Sequence, residues 1–153
     1  MDKIPNTPPP LIYPIIQEKC AEIGIDMVSD LLVGTLPKTL IASKPSGNFL
    51  ELDTGIGLTL IWMADGLDDT SQMVSINNDP VLTRIVSDWF GLDPRVIIRC
   101  EDGGEWLKNY QVESFDPIFA DTWPGIYDEL EETLALVAIG GFYVIDDMTP
   151  QSS

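Results

Sequence analysis

The stretch that most limits the fold is residues 49–64, because its hydrophobic period changes partway along. Phe49, Leu50 and Leu52 read as a short buried strand, Gly55 and Gly57 permit a tight turn, and the apolar run from Leu58 to Ala64 suits a helix packed on a sheet. A strand, a glycine turn and a helix present unpaired backbone N–H groups and the positive end of a helix at the carboxyl edge of a parallel sheet. Open α/β folds bind ligands there, and a nucleotide-like ligand is the natural occupant. The Gly-x-Gly spacing alone is a weak sign, since it also occurs in turns that bind nothing.

Composition bounds the rest. A chain of 153 residues with 44% hydrophobic content suits one folded domain. Residues 1–10 hold four prolines and read as an extended arm, leaving 11–153 as the single domain. Eight basic residues against 25 acidic ones give a formal charge of −17, which repels phosphate backbones and anionic membrane surfaces. The partner expected is a small molecule, not nucleic acid or membrane. The absence of histidine excludes Ser-His-Asp and Cys-His mechanisms and any His-ligated zinc. Cys20 and Cys100 make no disulfide framework and read as small apolar residues in a reducing compartment. No apolar run reaches a membrane span and the start lacks a leader pattern, so a soluble, cytoplasmic protein is expected.

Along the chain, 12–23 has Ile15, Ile16, Cys20 and Ile23 at helical spacing with Gly24 as the stop. Residues 26–40 read as one or two short helices broken at Gly34 and Pro37, and 43–47 as a turn. Strand two is 73–76, and Asp79-Pro80 is an N-cap and first helical residue for a helix over 80–90 that buries Leu82, Ile85, Val86 and Trp89. Strands follow at 95–100, 114–120 and 140–145, with a helix over 127–139 turning Leu130, Leu134, Val137 and Ala138 inward. This alternation predicts a Rossmann-like, doubly wound α/β fold with parallel strands in the order 3-2-1-4-5 and helices on both faces.

Two further features make the glycine turn specific. Glu51 precedes it and Thr59 opens its helix, and Asp-x-Trp-x-x-x-Tyr runs from Asp121 to Tyr127 behind an apolar strand. Together they resemble the class I S-adenosylmethionine-dependent methyltransferases, specifically the catechol O-methyltransferase-like family. The likeness covers about residues 27–151, with specific motifs at 49–64, 119–127 and 140–148. It implies methyl transfer from S-adenosylmethionine to a hydroxyl oxygen of a small molecule. The cofactor contacts it implies are Glu51, Asp53, Thr54, Gly55, Gly57 and Thr59 around the turn, Asn77 and Asn78 after strand two, Asp102 and Gly103 after strand three, and Asp121 and Trp123 after strand four. Asp121 is also the expected catalytic residue. In the family, the N-terminal helices lie over the cleft; from the residues alone they equally well cap one face of the sheet.

The likeness implies a metal too. In the family, an Asp after strand four and an acidic pair after strand five hold a divalent ion, and Asp121, Asp146 and Asp147 match those positions. Three carboxylates at adjacent strand ends repel one another without a cation, and oxygen-only ligands suit Mg²⁺ or Ca²⁺. The alternative is that these aspartates cap helices or solvate loop ends. Asp102 and Trp106 likewise divide evenly between an adenine contact with a lid and an N-cap with a core tryptophan.

The chain departs from the family in four places. Asp53 stands at the first glycine of the motif, where a side chain costs about 1–2 kcal/mol if φ is positive; its charge would also lie near the cofactor's carboxylate, so Asp53→Gly is expected to tighten binding. Asn77 replaces the acid that accepts from the ribose hydroxyls, weakening binding by about 1–2 kcal/mol. Pro124 stands where the catechol enzymes use a lysine. The sequence also ends after strand five, without the helix and two strands that follow in the family, which is expected to leave an apolar edge that a second copy covers. A binding or interaction protein of the same fold without catalysis is the alternative. A nicotinamide-dependent oxidoreductase ranks below both, with Leu60 where the third glycine would be and no acid ending strand two.

Overall fold

The computed structural model describes residues 8–25, 31–110 and 114–146. Five parallel strands lie in the order β3-β2-β1-β4-β5, as the alternation predicts. They are β1 (Asn48–Leu52), β2 (Gln72–Asn77), β3 (Val96–Cys100), β4 (Ile118–Ala120) and β5 (Tyr143–Ile145). The helices are α1 (Tyr13–Ile23), α2 (Leu31–Ala42), α3 (Leu58–Gly66), α4 (Pro80–Phe90), α5 (Gly103–Asn109), the single irregular turn α6 (Trp123–Ile126) and α7 (Leu130–Leu136). None among the described residues is long and apolar enough to cross a membrane.

The period of two in β1 builds both layers. Phe49 joins Met73, Val96 and Phe119 on one face, under Ile16, Cys20, Ile41, Leu60 and Val86 of helices α1 to α4. Leu50 and Leu52 join Ile76, Ile118 and Ala120 on the other, under Trp106, Leu107 and Leu136 of α5 and α7. Both faces of the central strands are dry, which is why β1 reads as an apolar run interrupted only by Glu51. Register sets Glu51 opposite Ser75 of β2 and Phe119 of β4.

Several local expectations are corrected. Gly34 and Pro37 do not break the second helix: α2 runs through both. It is held because α2 and α3 cross closely, each contributing a glycine. A Cβ on Gly34 would lie 2.3 Å from the Trp62 ring, and one on Gly66 would lie 2.6 Å from the Lys38 carbonyl oxygen. Lys38 also pairs with Asp65 across the crossing. Packing of this kind outweighs the cost of an interior proline, about 3 kcal/mol. Residues 26–30 of that expectation lie outside the described ones.

In α1 the buried residues are Tyr13, Ile16 and Cys20, while Ile15 and Ile23 are exposed. The last helix is shorter and turned differently from the expectation. Glu129 takes a left-handed φ of 51°, α7 begins at Leu130, and Thr133 and Leu136 face inward while Leu130 and Leu134 are exposed. In α4, Val86 is buried, while Leu82, Ile85 and Trp89 pack partly buried against the core. Asp79 caps α4 through Val81 and Leu82 N–H as expected. Cys20 is buried but Cys100 is exposed at the end of β3, so only the first acts as a core residue.

Candidate functional site

The carboxyl ends of β1 and β2 carry a cleft lined by Leu52, Asp53, Ile76, Asn77, Asn78, Gly103, Thr122 and Pro124. It lies where the sheet order reverses around β1, the switch point at which open α/β folds hold ligands. The cleft holds about 60 Å³ of space and is open to solvent on one side.

The turn after β1 is fixed by backbone bonds. Asp53 and Thr54 N–H both donate to the Ile76 carbonyl, at 3.0 and 3.1 Å, and Gly57 N–H donates to the Thr54 carbonyl at 2.7 Å. The path demands left-handed backbone at Asp53 (φ 78°), Gly55 (49°) and Gly57 (85°). Positive φ at Asp53 is the conformation that would favour the family's glycine there; aspartate tolerates it because its Oδ1 accepts from the Gly55 N–H at 3.2 Å. Gly57 ends the turn as the N-cap of α3 and supplies no side-chain cap to that helix.

Asn77 is buried and works as a clamp: its Nδ2 donates to the Gly55 carbonyl at 3.3 Å, and its Oδ1 accepts from the Asp79 N–H at 3.3 Å. A carboxylate could accept the second bond but not donate the first. Sequence reasoning saw in Asn77 only a lost charge; the amide also ties β2 to the glycine turn.

Glu51 is fully buried below the turn. Ser75 Oγ donates to its Oε2 at 2.5 Å, Thr54 Oγ1 lies 2.5 Å from Ser75 Oγ, and Oε1 has no hydrogen-bond partner. Burial pushes the Glu51 carboxyl up to about 8; the Ser75 bond opposes this, and the negative charges of Asp53 and Asp121 add to it. Asp53 is also raised, by partial burial, against the bond from Gly55. Thr54 faces this buried chain, not the cleft lining. Ser75 went unnoticed in the sequence, although a serine in an apolar strand at the register of a buried acid was a usable sign.

Of the residues expected at the cofactor, Asp53, Asn77, Asn78 and Gly103 line the cleft. Asp102 does not; it caps α5 by accepting from Glu105 N–H at 2.9 Å. Trp106 is no lid but a core residue, buried and stacked on Tyr110 with ring centroids 4.3 Å apart. Thr59 is half-buried on the first turn of α3. Thr122, which was not singled out, and Pro124, noted only for the lysine it replaces, form a further wall of the cleft, as their place after β4 would have suggested. Gly125, with φ 91°, holds that wall: a Cβ there would lie 2.7 Å from Leu52 Cδ1, and its carbonyl accepts from the Tyr143 hydroxyl of β5.

Asp121 and Asp146 directly follow the register partners Ala120 and Ile145. Their N–H groups donate to the Leu52 and Ala120 carbonyls at 3.2 and 3.0 Å, which continues the sheet pairing one residue further. Among the described residues no group of three metal-ligating side chains stands together, and Asp147, the third expected ligand, lies outside them.

Comparison with known proteins places this arrangement. No family model matches the chain. It superposes on a provisionally named O-methyltransferase from Klebsiella pneumoniae with a TM-score of 0.81 at 22% identity, covering 96% of this chain and 73% of that one. The fold is that of the S-adenosylmethionine-dependent O-methyltransferases. Two other solved structures with this methyltransferase fold carry ligands. The O-methyltransferase from Bacillus cereus, in complex with SAH, has a TM-score of 0.70 at 22% identity, over 86% of this chain and 64% of that one. The O-methyltransferase TomG from Streptomyces achromogenes, in complex with SAM, has a TM-score of 0.77 at 19% identity, over 92% and 71%. In sequence, a protein of Mycobacterium avium (strain 104) with the provisional name O-methyltransferase is 27% identical over 134 residues, which is 84% of this chain. The chain spans 60% of that relative's length.

Proposed function

We propose that the cleft binds S-adenosylmethionine and that the chain transfers its methyl group to a hydroxyl oxygen of a small molecule. The observation that carries the reading is the coincidence of the cleft with the glycine turn at the sheet's switch point, in a fold whose neighbours were solved with SAM and SAH. In the step proposed, an oxygen lone pair attacks the methyl carbon in line with the carbon–sulfur bond. The C–O bond forms, the bonding pair returns to sulfur, and the hydroxyl proton passes to solvent. The protein's share is to hold the reactants in that line and to exclude water.

The residues proposed to position the cofactor are Asp53, Asn77, Asn78 and Gly103, with Asp121 at the boundary between cofactor and acceptor. Asp121 and Asp146 offer oxygen donors from neighbouring strand ends, the donor type that a hard divalent ion takes, and Asp147 is the third ligand proposed from the sequence. Such an ion would lower the pKa of the acceptor hydroxyl. Among the described residues no lysine stands in for Pro124: Lys108 is held by Glu129 at 3.0 Å and by Glu105 at 3.6 Å. An acidic chain of this kind is proposed to act on a small hydroxylated metabolite in the cytoplasm, as a homo-oligomer.

A second reading, cofactor binding without catalysis, is favoured by the proline at the lysine's place. Calorimetric titration with S-adenosylmethionine, followed by a methyl-transfer assay on hydroxylated acceptors with and without millimolar Mg²⁺, separates the readings. Binding and Mg²⁺-stimulated transfer are expected. Binding without transfer favours the second reading, and absence of binding overturns both.

A further inference from the structure

We propose that this cleft selects its ligand by charge, holding the cationic sulfonium form of the cofactor more tightly than the neutral thioether left after methyl transfer, with Asp53 as the selecting residue. The inference rests on the cofactor assignment above and goes beyond it. Among the described residues that line the cleft, Asp53 alone has an ionisable side chain, and the others are apolar, amide, hydroxyl or glycine. No lysine or arginine offsets it there. The left-handed backbone at φ 78° and the bond from Gly55 N–H fix where its carboxylate sits.

A second observation agrees with a site made for a positive ligand. Directly below, Glu51 is wholly buried with an oxygen lacking any partner, and Asp53 and Asp121 are the charged groups that act upon it. The charge of Asp53 thus acts on a buried acid two residues away at the same strand end, and a bound positive charge would offset it.

S-adenosylmethionine and S-adenosylhomocysteine carry the same amine and carboxylate. They differ by one methyl group and one positive charge on sulfur. The ratio of their affinities therefore cancels whatever Asp53 does to the shared carboxylate and leaves its action on the sulfonium. Two opposite charges about 6 Å apart at an effective dielectric of about 40 attract by about 1.4 kcal/mol, which is tenfold in affinity. The consequence is weak retention of the spent cofactor.

The test is calorimetric titration of the intact chain with each ligand at about pH 8, well above the ordinary carboxylate range, repeated on Asp53→Asn. Asparagine accepts left-handed backbone and keeps the oxygen that bonds Gly55, so the substitution removes charge alone. The expected result is tighter binding of S-adenosylmethionine than of S-adenosylhomocysteine in the parent, and a ratio about tenfold lower in the variant. Should Asp53→Asn fail to fold by thermal melting, Asp53→Gly gives the same reading, since glycine suits the backbone there. A parent that binds both ligands equally, or a ratio that does not change on substitution, overturns charge selection and leaves the cofactor assignment standing. A parent that binds neither overturns both.

Discussion

Glu51 shows how one buried residue sets a pH response. Its carboxyl has an ordinary value of 4.5 and is pushed up to about 8 in the fold, chiefly by burial. Between those values the folded chain holds a proton that the unfolded chain has released, so stability falls as pH rises. The contribution is complete below about pH 4.5 and is lost progressively toward pH 8, at up to about 1.4 kcal/mol per pH unit. Denaturant unfolding at intervals from about pH 5 to 8.5 should show this fall in the parent and a shallower one in Glu51→Gln. The slope is the readout, because glutamine also leaves an amide unsatisfied at every pH. Parallel curves would mean that Glu51 is ionised in the fold. The acid itself was legible in the sequence as part of a motif; its partners Ser75 and Thr54 were not, because strand register decides which residues meet.

At the scale of elements, the crossing of α2 and α3 shows where sequence rules are overridden. Gly34 and Pro37 read as breakers by propensity, yet the helix persists through both because Gly34 gives the Trp62 ring its place. Trp62 is only 3% exposed and has nowhere to move. Gly34→Ala would raise helix propensity by about 1 kcal/mol and still destabilise the chain by about 2 kcal/mol net, through overpacking. Thermal or denaturant melting checks this, and a stabilised variant would show that the two helices can separate at small cost. Strong periodic segments and their glycine or Asp-Pro boundaries could be read directly, as at α4 and the turn after β1. The inward face of α7 could not, since the left-handed residue Glu129 resets the helix phase and nothing in its identity announces that.

Over the whole molecule, strand order and both layers followed from the alternation of elements, whereas the cleft's far wall came from residues that touch only in space. The sheet ends at β5, whose outer edge pairs with no strand among the described residues. Phe142, directly before β5, is exposed, as are Ile139 and Leu134 in the segment leading to it. Self-association there is expected, opposed by the charge of −17 at low salt and freer at high salt. Light scattering over a salt series checks it, and a strict monomer throughout would exclude it.

The Tyr143 hydroxyl gives that edge a second meaning. It reaches from β5 to the Gly125 carbonyl, beside the Thr122 and Pro124 wall of the cleft. One hydrogen bond therefore joins the outer strand to the loop that forms the wall, a direct route by which a shift in either would be felt by the other. Where two copies do meet at that edge, reciprocity requires that whatever ligand does to their meeting, their meeting does to the hold on ligand by the same factor, and Tyr143→Phe is expected to reduce that mutual influence.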